Sequence, residues 1–393
     1  MKREVRVSDS RKVLMLASVA SMIDQFNMPN IRLLLKMGYE VHIFCNFKEG
    51  STCTLGRIKK LQQQLCDLHA IWHQWDCPRS IWPIKKCARA YKQLLKFVDR
   101  QSFAWIHCHS PIGGALARIA AHKRGIRIIY TAHGFHFYRG APLKNWLLYY
   151  PVEKLLSRWT DILLTVNHED FCLAKRRMNA GRTVCLPGVG IDTDRFQRMP
   201  DGGNSQFRNR YQIPEDAAVL LSVGELSRRK NHQAVISVLP ELTGKKVHYL
   251  ICGQGKMEKS LLRKAEKSGV SDQVHILGFQ EDVTVFYQNA DVFVFPSRQE
   301  GLPVALMEAM ASSLPCVVSD IRGNRELIAG SKEGCGGIRF ACGQQERLRE
   351  ALEKLLADPQ LRQEYGLWNR KKVQGYNLNS VSSRMEKIYR YMN

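Results

Sequence analysis

Glu300 and Glu308 stand with seven residues between them, around Gly301-Leu302-Pro303-Val304. The apolar run 290–295 ahead of them reads as a buried strand and 304–310 behind as a helix, with Pro303 where a helix favours its first residue. Glu300 then lies in the loop, and Glu308 about one and a half turns into the helix at ~3.6 residues per turn. The N–H groups from Gly301 onward leave the helix N-terminus unpaired and, with the helix dipole, favour an anion such as a diphosphate. A plain strand-to-helix turn with solvated glutamates has the same spacing, so spacing alone leaves both readings open.

Other candidates also follow expected strands. Arg228, Arg229 and Lys230 end the sequence Gly224-Glu-Leu-Ser-Arg-Arg-Lys; fixed cations there would stabilise a diphosphate leaving group as it gains charge. A solvated basic turn is the plainer reading. Gly253-Gln-Gly255 is a glycine-rich turn, and Phe279 is placed to lie beside a nucleobase or to belong to the core. His133 comes directly after a strand and beside Gly134, where its ring can bond a substrate hydroxyl or act as acid or base. His107 and His109 read as holding a strand end, and His136 is the weaker neighbour. The chain has no phosphate-loop lysine motif, no GxGxxG on its first strand, no HExxH and no GxSxG. Nucleotide hydrolysis, hydride transfer, zinc proteolysis and serine hydrolysis all lose ground.

These side chains need strand ends to carry them. Apolar runs at 13–17, 40–46, 105–108, 126–130 and 161–166 alternate with helical periodicity, and the alternation restarts at 219–223, 248–252, 274–277, 291–295 and 316–319. The pattern predicts an α/β chain of two Rossmann-like, doubly wound parallel-sheet domains facing across a cleft. The domains are read as 1–190 and 191–375, with a glycine- and proline-rich linker over 187–206. An amphipathic segment within 376–393 is expected to pack back on the first domain.

The 393 residues are 45% apolar and 24% charged, as in a folded protein, but the net charge is +23. Residues 1–190 hold 30 Lys and Arg against 12 Asp and Glu, whereas residues 191–393 hold 29 against 24. A basic first half attracts something anionic: nucleic acid, an acidic lipid face or a phosphorylated substrate. No zinc-finger spacing, basic zipper or single-strand-binding signature is present, which ranks a membrane surface above nucleic acid. Twelve cysteines with no CxxC pair fit free thiols in a reducing compartment, without disulfide framework or zinc site. Lys2, Arg3, Arg6, Arg11 and Lys12 precede an apolar run that imitates a secretory signal, yet Ser18, Ser21 and Asp24 mark it as a first strand running into a helix. No run reaches the ~18 apolar residues of a spanning helix, so membrane contact is expected to be peripheral.

The motif Glu300-Gly-Leu-Pro-Val-Ala-Leu-Met-Glu308, with Gly224 to Lys230, Gly253-Gln-Gly255 and Pro187-Gly-Val-Gly-Ile-Asp192, resembles the retaining family-four glycosyltransferases of the GT-B type. Tyr130-Thr-Ala-His-Gly-Phe-His-Phe and the stretch from Gly140 to Glu153 are similar to bacterial exopolysaccharide and capsule enzymes. The resemblance implies metal-independent transfer from a UDP-sugar, carrying an N-acetylhexosamine or hexose, to a polyprenyl-diphosphate-linked acceptor, with no cofactor. It gives Glu308 the ribose hydroxyls, Glu300 and His133 the donor sugar, the amides of Gly301, Leu302, Pro303 and Val304 the phosphate end, and Lys230 the diphosphate. It also implies a cytoplasmic protein on the inner membrane face, alongside other polysaccharide-synthesis enzymes. Glu225 stands where many relatives have arginine, and Ser18-Val-Ala-Ser21 where many have a Gly-Gly pair. Rival readings are a nucleotide-sugar epimerase of the same fold and a non-catalytic nucleotide-sugar or nucleic-acid binder.

Overall fold

The computed structural model describes residues 11–49, 53–80, 82–197, 205–244, 246–328, 330 and 334–392. Lys2, Arg3, Arg6 and the linker residues 198–204 lie outside that set. The chain divides into two compact units: one runs to Val189 and takes back the segment from Asn379, and the other is Gly190–Leu378.

The first unit is a seven-stranded sheet in the order β3-β2-β1-β4-β5-β6-β7. Its strands are β1 (Lys12–Leu16), β2 (Glu40–Cys45), β3 (Ile71–Gln74), β4 (Trp105–His109), β5 (Arg127–Ala132), β6 (Ile162–Thr165) and β7 (Arg182–Cys185). The second has six, in the order β10-β9-β8-β11-β12-β13, built from β8 (Ala218–Val223), β9 (Val247–Cys252), β10 (Val274–Ile276), β11 (Val292–Phe295), β12 (Cys316–Ser319) and β13 (Gly337–Phe340). Every pairing is parallel. Parallel strands need crossovers, and the helices supplying them cover both faces, so central strands are largely apolar: Leu14, Met15, Leu220 and Leu221 are all fully buried.

Three strands were not expected from sequence: β3, β7 and β13. All are sheet edges. An edge strand has one neighbour and weaker cover, so Ile71-Trp-His-Gln, Arg182-Thr-Val-Cys and Gly337-Ile-Arg-Phe carry mixed polarity that hides the signal. The helix Leu143–Ser157 ends where the sequence reads a helix end, at 155–158. Pro151 lies inside it, and apolar residues surround it on all sides, which blurs its period.

The final helix, Leu378–Tyr391, lays Val381, Met385, Ile388 and Tyr389 into the core of the first unit. These positions share one face at i, i+4, i+7 and i+8. Tyr389 stacks on Trp105 of β4 at 5.2 Å, and Arg127 Nη1 donates to the Met392 carbonyl at 2.8 Å.

Candidate active site

In each sheet the strand order reverses once, at β1/β4 and at β8/β11. Ligands of open α/β sheets bind beyond the carboxyl ends of the strands at such a reversal. Both reversals carry the residues singled out by sequence.

In the second unit, the loop after β8 and the loop after β11 are joined by hydrogen bonds. Arg298 N–H donates to the Arg229 carbonyl at 2.8 Å, and Asn231 Nδ2 to the Pro296 carbonyl at 3.2 Å. The joining brings Glu300 against two of the three cations. Lys230 Nζ lies 3.0 Å and Arg229 Nη1 2.7 Å from Glu300 Oε1. Lys230 and Glu300 side chains are each only 10% exposed, and the ammonium also sits 4.4 Å from the centre of the Phe295 ring. Burial alone would raise the Glu300 carboxyl, but Lys230 and then Arg229 outweigh it and hold it below the usual glutamate value. Burial pulls Lys230 below the usual lysine range, with the Glu300 charge opposing. Arg228 is exposed and takes no part in this cluster among the described residues.

Glu308 sits inside the helix Val304–Ala311, whose N-cap is Pro303. It does not touch the cations. Its Oε2 accepts from the Tyr287 hydroxyl at 2.9 Å, and burial lifts its carboxyl above the usual value while that hydroxyl opposes the shift. Gly301 to Val304 form the turn between the carboxylates. Its close underside is Gly323, where a Cβ would come within 2.3 Å of the Gly301 carbonyl.

Gly253 is required for a related reason, since a Cβ there would meet the Gly224 carbonyl at 1.9 Å. Its N–H donates to Gly278 at 2.7 Å, which sets Phe279 next to this turn. Phe279 is 43% exposed, so it is not core. Sequence reasoning missed Arg322, 7% exposed, whose Nε donates to the Glu300 carbonyl at 3.1 Å. It comes three residues after β12, and the same search just beyond strand ends would have found it. Tyr287 was missed as well; it lies in the short helix Thr284–Gln288, and nothing in its local pattern marks it.

In the first unit, His133 is joined to His109, its Nε2 lying 3.1 Å from His109 Nδ1. His107, one pleat back on β4, bonds Thr131 Oγ1 at 2.8 Å and the Tyr389 hydroxyl at 3.0 Å. Burial pushes His133 down to about 4 and His107 down to about 3, and with neighbouring His107 and His133 it holds His109 well below the usual histidine range. Burial thus favours the neutral form of all three rings. His136 instead stacks on Tyr149 at 4.6 Å. In the loop after β1, Ser18 Oγ accepts the Gly113 N–H at 3.0 Å and pairs with Ser110 Oγ at 2.7 Å.

Known proteins resemble both units. Residues 12–167 match the family Glycosyl transferase 4-like, and residues 204–372 match Glycosyl transferases group 1. EpsD of Bacillus subtilis (strain 168), assigned as a glycosyltransferase, is 34% identical over 97% of this chain and 96% of its own. The Escherichia coli UDP-Gal:alpha-D-GlcNAc-diphosphoundecaprenol alpha-1,3-galactosyltransferase is 26% identical over 61% of this chain and 64% of its own. Among solved structures, Anabaena HepE in complex with UDP superposes with a TM-score of 0.76 at 15% identity, covering 97% of this chain and all of that one.

Proposed function

The chain belongs to the family-four glycosyltransferases of the GT-B fold, and we propose that it moves an N-acetylhexosamine or hexose from a UDP-sugar to a polyprenyl-diphosphate-linked acceptor, with retention of configuration and without a metal. The observation carrying this reading is the Lys230–Arg229–Glu300 cluster at the strand reversal of the second unit, beside the helix N-terminus at Pro303. A diphosphate arriving there competes with Glu300 for Lys230 and Arg229, and the turn N–H groups of Gly301, Leu302 and Val304 add donors. The released Glu300 carboxylate then takes sugar hydroxyls. Glu308 takes the ribose hydroxyls, Phe279 and Gly253 lie along the base, Arg228 adds distal positive charge, and His133 meets the donor sugar.

Catalysis in this reading is electrostatic and positional. The cations stabilise charge growing on the leaving diphosphate, and a diphosphate oxygen takes the proton of the attacking acceptor hydroxyl on the face it vacates. The identity of the acceptor follows the E. coli relative, which acts on a diphosphoundecaprenol-linked sugar.

A lipid-linked acceptor calls for a membrane face, and the helix Leu143–Ser157 suits one. Leu143, Leu147, Leu148, Val152 and Leu155 are exposed along it, while its acid, Glu153, turns inward to Arg118 at 2.8 Å. Lys144 and Lys154 complete an outward face of leucine and lysine. Among the described residues no helix is long and apolar enough to cross a membrane. The reading is therefore of a peripheral protein on the inner face, working beside other polysaccharide-synthesis enzymes. It should pellet with anionic but not neutral vesicles at moderate salt; equal binding to both would remove the membrane role.

Incubation with a panel of nucleotide sugars and a polyprenyl-diphosphate sugar tests the activity. UDP release with a longer lipid product, of retained anomeric configuration, is expected. Isomerised donor without acceptor would mean epimerisation, and no turnover would mean a binding protein.

A further inference from the structure

His133 reaches its neighbours through a string that ends on a sulfur. His133 Nε2 faces His109 Nδ1 at 3.1 Å, and His109 Nε2 faces Met15 Sδ at 3.1 Å. Met15 is fully buried on β1, and His109 is 1% exposed at the end of β4. A thioether carries lone pairs and no hydrogen, so it can only accept. His109 Nε2 must therefore bear the proton, because a bare nitrogen lone pair against sulfur would repel it. A neutral imidazole has one N–H, which leaves His109 Nδ1 as an acceptor. His133 Nε2 must then be the donor across the 3.1 Å contact. By the same count, the Nδ1 of neutral His133 is an acceptor, and among the described residues it makes no bond.

His107 shows what this arrangement adds. Both of its partners, Thr131 and Tyr389, are hydroxyls that can donate or accept, so neither fixes its tautomer. Only the string through Met15 has a defined direction.

We propose that Met15 and His109 are positioning residues that hold His133 as its Nε2–H tautomer, leaving the Nδ1 lone pair to accept a hydrogen bond from a hydroxyl or N–H group of the donor sugar. This rests on the reading that His133 meets that sugar. It also narrows the substrate: a hydroxyl or acetamido N–H is accepted at this point, whereas a carboxylate or keto oxygen would face a lone pair and be rejected.

The test has a spectroscopic and a kinetic arm. In full-length protein labelled with nitrogen-15 histidine, long-range proton–nitrogen correlation at neutral pH without donor reads each ring's tautomer directly, and His133→Gln assigns the His133 ring. The expected spectrum has a protonated Nε2 and a bare Nδ1 on both His133 and His109, and Met15→Leu should turn both rings into tautomer mixtures. A protonated Nδ1 on wild-type His133, or a fast mixture there, would overturn the proposal. In the kinetic arm, His109→Leu should lower turnover about tenfold, the scale of one lost hydrogen bond, with donor KM changed less. His109→Asn, whose Oδ1 can replace Nδ1 as acceptor, should recover most of that loss. Equal loss in the two variants would mean a packing role and would overturn the positioning role. Full activity in His133→Ala would remove the sugar contact on which the role rests, and the spectra would tell that failure apart from an incorrect tautomer.

Discussion

The two units share one topology and prepare their strand reversals in opposite ways. The second gathers charge: Glu300 and Lys230, both nearly buried, with the more exposed Arg229, the two cations holding the Glu300 carboxyl below its usual value. The first gathers neutral rings: His107, His109 and His133, kept unprotonated by burial. In the proposed reading the diphosphate meets permanent countercharge, and the uncharged sugar meets directed hydrogen bonds from rings with no charge of their own. The fold supplies the position, and the residues after each strand decide which kind of site it becomes.

Lys230→Ala should break this contrast most severely. It removes the countercharge and leaves the Glu300 carboxylate with Arg229 alone, so stability should fall by about 3–5 kcal/mol, as when one partner of a buried pair is lost. Turnover should fall by roughly 10²–10³, the range seen when one group stabilising a developing anion is deleted. Steady-state kinetics and thermal unfolding check both; unchanged turnover would take Lys230 out of the site.

Glu308 sharpens the comparison from the other side, as an acid of the second unit that bonds a tyrosine hydroxyl rather than Lys230 or Arg229. Glu308→Ala should weaken UDP-sugar binding by about tenfold or more, given ~1.5–3 kcal/mol for hydrogen bonds to a charged group. Burial already raises its carboxyl, so Glu308→Gln should raise the melting temperature while still weakening the donor. A Gln variant that melts lower and binds normally would make Glu308 a structural residue.

The smallest effect is in acid. A histidine whose folded value lies below its unfolded value of ~6.5 gives stability that is present above that pH and is lost as pH falls toward the folded value. His133 at about 4 and His107 at about 3 place this loss between roughly pH 6.5 and 3 in the first unit. Glu300, held below the usual glutamate value, starts to lose its pairing only below ~4.3, after the histidine loss has begun. Hydrogen exchange followed by segment should therefore loosen the ends of β4 and β5 before the loops after β8 and β11. The reverse order would contradict the neutral-ring account.

The doubly wound architecture was readable because central parallel strands are buried on both faces and appear as unbroken apolar runs. Edge strands β3, β7 and β13 were not, since half their surroundings is solvent and their residues are mixed. At the site, the paired glutamates and the basic turn could be found from spacing, but their contacts could not. Sequence gives Arg228, Arg229 and Lys230 as one run of charge, while the loop turns Arg228 outward and Lys230 inward. It gives His109 as a strand-end residue, while only packing sets its ring against Met15 from a strand more than ninety residues earlier. Tyr287 was invisible because its partner Glu308 comes from another helix.

Calorimetric titration of UDP into wild type, Lys230→Gln and His133→Ala at neutral pH tests the contrast most directly. The account predicts that Lys230→Gln weakens UDP at least about tenfold, or ~1.4 kcal/mol, while His133→Ala binds UDP as wild type does, because the nucleotide lacks the sugar that His133 meets. Equal weakening in both variants, or UDP binding indifferent to Lys230, would contradict it.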